Sequence, residues 1–113
     1  MMDDLFVRII NGEIPSKKVF ENDKVYAFED INPKAPVHVL VVHKEPTENI
    51  NDTGLDKAYI YSDLFLAARE IAKKLNIDKT GFRTIINSGP DSGQEVYHMH
   101  VHILGGKKMQ NLV

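Results

Sequence analysis

Residues 96–104 read VYHMHVHIL, and three of the chain's five histidines, His98, His100 and His102, occupy every second position of this apolar run. A two-residue period is that of a β-strand, in which successive side chains point to opposite faces. The three imidazoles then share one face, and Tyr97, Met99, Val101 and Ile103 share the other. That apolar face can bury against a helix and hold the strand rigid, leaving the histidine face to meet a ligand. A core seldom places three neighbouring rings that each need a hydrogen-bond partner. The run therefore demands a sheet with one packed face and one chemical face.

Metal and phosphate both suit such a row. Histidines at i and i+2 can share a zinc ion, but the outer two rings are ~13 Å apart at about 3.3 Å per residue, and Zn–N must be about 2.0–2.1 Å. Two of the three could still bind with His38 or a carboxylate. Phosphorus chemistry fits the spacing better. A neutral imidazole is a good nucleophile near pH 7, and neighbouring rings disfavour each other's protonation while a bound phosphate favours it. A row can thus hold one neutral attacker beside protonated partners. His100, flanked on both sides, is the natural attacker, with both neighbours able to face the same phosphoryl oxygens.

The preceding stretch, with Asn87, Ser88, Gly89, Gly93, Gln94 and Glu95, is turn-rich. Its glycines let backbone N–H groups approach an anion. Alone it reads as a hairpin loop; directly upstream of three histidines it reads as a phosphate cradle.

The 113 residues make one small domain, 1–113, large enough for a real core at 42% apolar content. Fourteen basic against sixteen acidic residues leave a formal charge of −2. That balance argues against nucleic acid or an acidic membrane as partner, so phosphate affinity must be local. Without cysteine there are neither disulfides nor thiolate metal sites. No signal peptide or membrane span is apparent, which points to a soluble cytoplasmic protein.

Asp3 and Asp4 can cap a short helix with Leu5, Phe6, Ile9 and Ile10 on its apolar face, stopped at Asn11-Gly12. KKVFEN and KVYAFED predict a hairpin turning at Asn22-Asp23. INPKAP is a forced loop. VHVLVVHK predicts a strand with Val37, Val39 and Val41 on one face and His38, Leu40 and Val42 on the other. Leu55, Tyr59, Leu66, Ile71 and Leu75 recur at helical spacing over 55–75, with Thr53 or Asp52 to start the helix and Asn76 to stop it. FRTIINS is a further extended segment, and VYHMHVHILGG is the last strand. Few connections are long enough for parallel crossovers, so the expected fold class is α+β with a mostly antiparallel meander.

HMHVHIL fits His-φ-His-φ-His-φ-φ, with φ apolar, the signature of the histidine triad superfamily. GEIPSKKVFEND, AFEDINPKAPVHVLVV and NSGPDSGQEVYHMHVHILGGKKM each resemble its branch of histidine triad nucleotide-binding proteins, and the likeness covers nearly the whole chain. It implies a five-stranded antiparallel sheet with two helices, and a homodimer whose sheets join into ten strands. It further implies binding of purine nucleoside monophosphates and hydrolysis at the α-phosphorus of phosphoramidate or acyl derivatives, through a nucleotidyl-histidine, with no cofactor and no metal. By motif position His100 resembles the nucleophile, His98 and His102 flank it, and His38 matches a fourth, supporting histidine. Asn87, Gly93, Gln94 and the Glu95 backbone match phosphate contacts. Asp30 matches the acceptor of ribose hydroxyls, with Phe28 and Ile31 beside the base; Leu5, Phe6 and Ile9 match the purine wall. Two acceptor oxygens suit a vicinal diol, and apolar walls choose little between adenine and guanine.

Glu95 stands where the best-known relatives have a serine that donates to the leaving group. The tail KKMQNLV is short and lacks their tryptophan-containing ending. Dinucleoside polyphosphate hydrolysis is the nearest alternative; a nucleotide- or partner-binding module with weak catalysis, and a metal protein, are the others. Transferases of the superfamily usually carry glutamine in place of the third histidine, and His102 argues against that chemistry.

Overall fold

The computed structural model describes residues 2–111. Helix α1 (Leu5–Ile10) opens with Asp3 Oδ1 accepting the Leu5 N–H at 3.1 Å, while Asp4, at the N-cap, makes no side-chain cap bond. Phe6 and Ile9 are buried, and the chain leaves through Asn11 and a left-handed Gly12. Strands β1 (Lys18–Glu21) and β2 (Val25–Glu29) form the expected hairpin. Its turn is held by Asn22 Oδ1, which accepts from the N–H groups of Lys24 and Val25 at 2.8 and 2.9 Å. Then come β3 (Val37–His43), α2 (Ala58–Lys74), β4 (Phe82–Ile85) and β5 (His100–Gly105).

The five strands form one sheet in the order β1-β2-β3-β5-β4, every neighbouring pair antiparallel. The class is α+β, as expected, but the sheet is a meander only through β3. Because β4 and β3 both run antiparallel to β5, they are parallel to each other. The long connection through α2 makes that crossover possible, and β5 then inserts between them.

Alternation sorts the faces. On the α2 side Val25, Ala27, Val39, Val41, Val101 and Ile103 pack with Ile60, Leu64 and Ile71 of the helix. On the α1 side Tyr26, Phe28, Leu40 and Val42 pack with Phe6 and Ile9. Strand β5 gives Val101 and Ile103 to the α2-side core, while His100 on its other face packs against Phe6.

Three boundaries differ from the sequence-based expectation. The first is α2, which starts at Ala58 after two 3₁₀ turns (Ile50–Asp52 and Leu55–Lys57), without a side-chain cap. Thr53 is occupied elsewhere: its hydroxyl donates to the Asn49 carbonyl at 2.8 Å. Leu55 is 94% exposed and Leu66 63%, so the buried stripe runs instead through Ile60, Leu64, Ala67, Ala68, Ile71 and Ala72. The second is β5, which begins at His100, since the β3–β5 ladder ends at Val42↔His100 and nothing pairs with residues 96–99 as a strand. The third is FRTIINS, in which only Phe82–Ile85 is extended in the sheet. Asn76, with φ 60°, does terminate α2. No helix among the described residues is long and apolar enough to cross a membrane.

Candidate active site

A cavity of about 660 Å³ opens on the α1 face of the sheet. Leu5, Phe6 and Ile9 of α1 line one side, and Phe28, Asp30 and Ile31 come from the end of β2 and its loop. His38 of β3, His100 and His102 of β5, and Asn87, Gly93, Gln94 and Glu95 complete the set singled out from sequence. Three residues singled out from sequence are not on the wall: His98 is wholly buried beneath it, Ser88 accepts the Ile50 N–H at 3.2 Å, and Gly89 N–H goes to Gln94 Oε1 at 2.9 Å.

Partners of fixed polarity determine which nitrogen of each ring carries the proton. The His98 carbonyl can only accept, so His100, 2.8 Å away through Nδ1, is protonated there and keeps its one lone pair on Nε2. His98 Nε2 lies 2.9 Å from the His43 carbonyl and donates to it, which leaves His98 Nδ1 unprotonated, buried and without a partner. At His38 the polarity reverses: the Lys34 N–H donates to Nδ1 at 3.0 Å, so the proton is on Nε2. That proton goes to His102 Nδ1 at 2.9 Å, and His102 therefore carries its own on Nε2. His38 and His102 are diagonal across the ladder, since Leu40 is the direct partner of His102. On the cavity wall the outcome is one ring with a free lone pair, His100, beside one with a free N–H, His102. Their centroids are 4.9 Å apart, and Phe6 packs edge-on against His100 at 5.0 Å.

Burial lowers the pKa of all four rings. At His102, desolvation followed by the nearness of His100 and His38 pushes it down to about 4, with Asp30 opposing. At His100, desolvation outweighs the His98 carbonyl and Asp30. His98 and His38 are lowered for the same first cause. Without a ligand the architecture thus keeps the flanking rings neutral; the protonated partners expected from sequence belong to the phosphate-bound site, where the anion pulls the rings the other way. Two consequences share a sign. Turnover that needs neutral His100 should hold its kcat/KM from pH 8 to below pH 6.5, and an acid limb at or above 6.5 in a pH–rate profile would contradict this. Stability linked to these rings is complete above pH 6.5 and is lost as pH falls from 6.5 towards the folded-state values, because the unfolded chain binds the extra protons.

Asp30, His38 and His102 each offer one ligand atom within 4.8 Å of the others, close enough for a divalent cation. Asp30 Oδ2 is 3.4 Å from His38 Nε2. The donor chemistry does not fit. The only lone pair of neutral His38 faces the Lys34 N–H, and His38 Nε2 bears the proton; ligation there would strip that proton or break the Lys34 bond.

In the loop, Gly93 is left-handed at φ 86°. The Gln94 side chain is not free for phosphate. Its Oε1 accepts from Gly89 N–H at 2.9 Å and Asn49 Nδ2 at 3.2 Å, and its Nε2 donates to the carbonyls of Glu48 and Val96 at 2.8 and 3.1 Å. Gln94 therefore shapes the loop from within. Asp30 Oδ1 accepts the Asn32 N–H at 2.8 Å, which fixes the carboxylate and leaves lone pairs on both oxygens. Ile31 is 91% exposed. Ser16, Asn32, Lys34, Leu40 and Ile85 also line the cavity and were not singled out from sequence. Leu40 could have been, as it shares the His38 face of β3; Lys34 and Asn32 arrive through the irregular path of INPKAP, which has no period to read.

The HIT domain profile matches residues 11–109. A histidine triad protein from Clostridium difficile is 49% identical, with a TM-score of 0.93 over 96% of this chain and 95% of that one. A HIT family hydrolase from Legionella pneumophila is 39% identical, with a TM-score of 0.91 over 94% and 95%. A 14 kDa zinc-binding protein of Brassica juncea is 46% identical over 95% of this chain and 96% of its own. With the profile spanning most of the chain and the triad carried on a matching fold, this protein belongs to the HIT family, alongside HIT family hydrolases.

Proposed function

We propose that the protein binds purine nucleoside monophosphates and hydrolyses their 5′-phosphoramidate or acyl derivatives at the α-phosphorus. The observation that carries this reading is the locked tautomer of His100, whose only lone pair belongs to a ring on the cavity wall. In the first step Nε2 attacks the phosphorus, and the P–N bond of a phosphoramidate (P–O of an acyl derivative) breaks. The amine leaves with a proton taken from solvent (the acyl group as its carboxylate), and a nucleotidyl-histidine forms. The positive charge gained by the ring is met at Nδ1–H by the His98 carbonyl. His102 Nε2–H donates to a phosphoryl oxygen. Water then attacks the same phosphorus, the Nε2–P bond breaks, a water proton passes to solvent, and the nucleoside monophosphate leaves with His100 restored to its neutral form. Asp30 accepts the ribose hydroxyls, and Phe6, Ile9, Phe28 and Ile31 enclose the base. Quenching with an alkaline denaturant during turnover of an adenosine phosphoramidate should trap AMP on His100, since acid would cleave the N–P link, and peptide mass spectrometry at basic pH should detect it. Faster cleavage of dinucleoside polyphosphates than of phosphoramidates would favour that alternative substrate.

The reading includes a homodimer. Strand β4 ends the sheet with one edge unpaired, and Phe82 on it is 38% exposed. Such an edge invites pairing with a second copy, giving ten strands. Sedimentation should give twice the chain mass, and a monomer at micromolar concentration would reject this part.

Zinc binding is a second reading, favoured by the name of the Brassica juncea relative and by the Asp30–His38–His102 cluster. The His38 tautomer opposes it. Purified protein is expected to hold far less than one equivalent of zinc, with turnover unchanged by EDTA; one tightly held equivalent that supports turnover would reverse the choice.

A further inference from the structure

One buried histidine has no part in this chemistry. His43 closes β3 and is 3% exposed, and its Nε2 lies 2.8 Å from Asp63 Oδ2 on α2. Glu45 N–H donates to His43 Nδ1 at 2.9 Å, so the proton sits on Nε2 and is given to Asp63. Tyr59, one turn earlier on α2, packs edge-on to the His43 ring at 6.4 Å. The Tyr59 hydroxyl reaches both carboxylate oxygens of Glu45, at 2.7 and 2.8 Å. The ring is thereby pinned by the helix on one side and by the chain leaving β3 on the other.

The main chain of the same residue faces the triad. The His43 carbonyl accepts from His98 Nε2, and the His98 carbonyl accepts from His100 Nδ1. Strand β5 gives His43 no support, because the β3–β5 ladder ends one residue earlier, at Val42↔His100. The His98 side chain has no other polar tether, since its Nδ1 is without a partner; the peptides on either side of it are held by Asp3 N–H to the Tyr97 carbonyl at 3.1 Å and by Met99 N–H to the Thr47 carbonyl at 2.7 Å. If the His43 carbonyl moved, a wholly buried ring would hold two unsatisfied nitrogens and would turn to satisfy them, straining the Thr47-anchored peptide whose carbonyl holds His100 Nδ1.

We propose that Asp63 and His43 form a positioning pair for the nucleophile: by pinning the end of β3 they fix the carbonyl that orients His98, and so the carbonyl that keeps the His100 proton on Nδ1. Neither residue touches the cavity, so the pair acts on the rate of attack and not on substrate affinity. The proposal rests on His100 as nucleophile, and its test has an arm independent of turnover.

Asp63→Ala removes the acceptor, while Asp63→Asn keeps an oxygen opposite the His43 N–H. D63A should lower kcat about tenfold with KM within about twofold, as expected for a sub-ångström misplacement of a reacting group, and D63N should restore most of the loss. Nitrogen-15 NMR of the ring should show wild-type and D63N His100 as the Nδ1–H tautomer, and D63A as a mixture. D63S, with a hydroxyl too short to reach, is the second variant and should behave as D63A. Wild-type kcat in D63A and D63S, or an unchanged His100 ring spectrum in either, overturns the proposal. Failure of wild type to form nucleotidyl-His100 would instead reject the nucleophile, with the NMR comparison still reporting on the pair.

Discussion

His100→Ala should lower turnover of an adenosine phosphoramidate by at least about a thousandfold, the scale on which removal of a covalent nucleophile is felt. The size follows from the lack of a substitute. His98 donates to His43 and has its other nitrogen sealed in the interior. The lone pair of His102 is engaged by the His38 proton, and its remaining nitrogen carries a hydrogen. Neither neighbour offers a free lone pair to phosphorus without rearranging two hydrogen bonds. Binding should behave differently, because Asp30 and the apolar walls are untouched. Calorimetry with AMP and GMP should give Kd values within a few-fold of wild type. Turnover surviving in H100A would remove the nucleophile; loss of nucleotide binding as well would mean that the ring holds the ligand instead of attacking it.

Leu64→Ala should destabilise the protein by about 3 kcal/mol, within the range for deleting a buried leucine side chain beyond Cβ. Leu64 is fully buried in the α2-side core among residues that cannot all collapse into the gap, since β3 and β5 are held in register by their ladder. For a domain of this size the melting temperature should fall by about 10–15 °C. Leu66→Ala, two positions along the same helix, removes a side chain that is 63% exposed and should change stability by no more than about 0.5 kcal/mol. Paired thermal melts check the contrast. Equal losses would mean that Leu66 is covered in the assembled protein. Folded L64A should keep its kcat, because the triad lies on the opposite face of the sheet.

This pair of leucines illustrates where sequence reading stops. Helical spacing is present along 55–75 on more than one stripe, and hydrophobicity alone does not say which stripe meets the sheet. Leu55 and Leu66 were drawn into the buried pattern because they are apolar at suitable intervals, yet both face outwards. The start of α2 differs for another reason: Thr53 is a good cap by type, but a local network with Asn49 and Thr47 in the preceding turn claims its hydroxyl. Short-range side-chain bonds to the backbone compete with helix capping at such positions.

What the chain order alone determined was parity. Alternation along VHVLVVH and HMHVHIL specifies two faces for each strand, and a register slip of one residue would exchange core for chemistry, so the two-faced sheet was legible before any coordinates. The likeness of three segments to a known family supplied the candidate residues, and most of them meet on one cavity wall. Only the tertiary structure decided which proton sits on which ring, because each tautomer is imposed by a partner that strand alternation does not name. Those partners are Lys34 N–H in the loop before His38, the His98 carbonyl beside His100, the distant His43 carbonyl for His98, and His38 diagonal to His102. It likewise set the His98 ring beneath the cavity wall and engaged the Gln94 side chain within the loop, through hydrogen bonds that no spacing rule contains. A strand period fixes the direction of a side chain; the partner waiting in that direction is set by how distant segments pack.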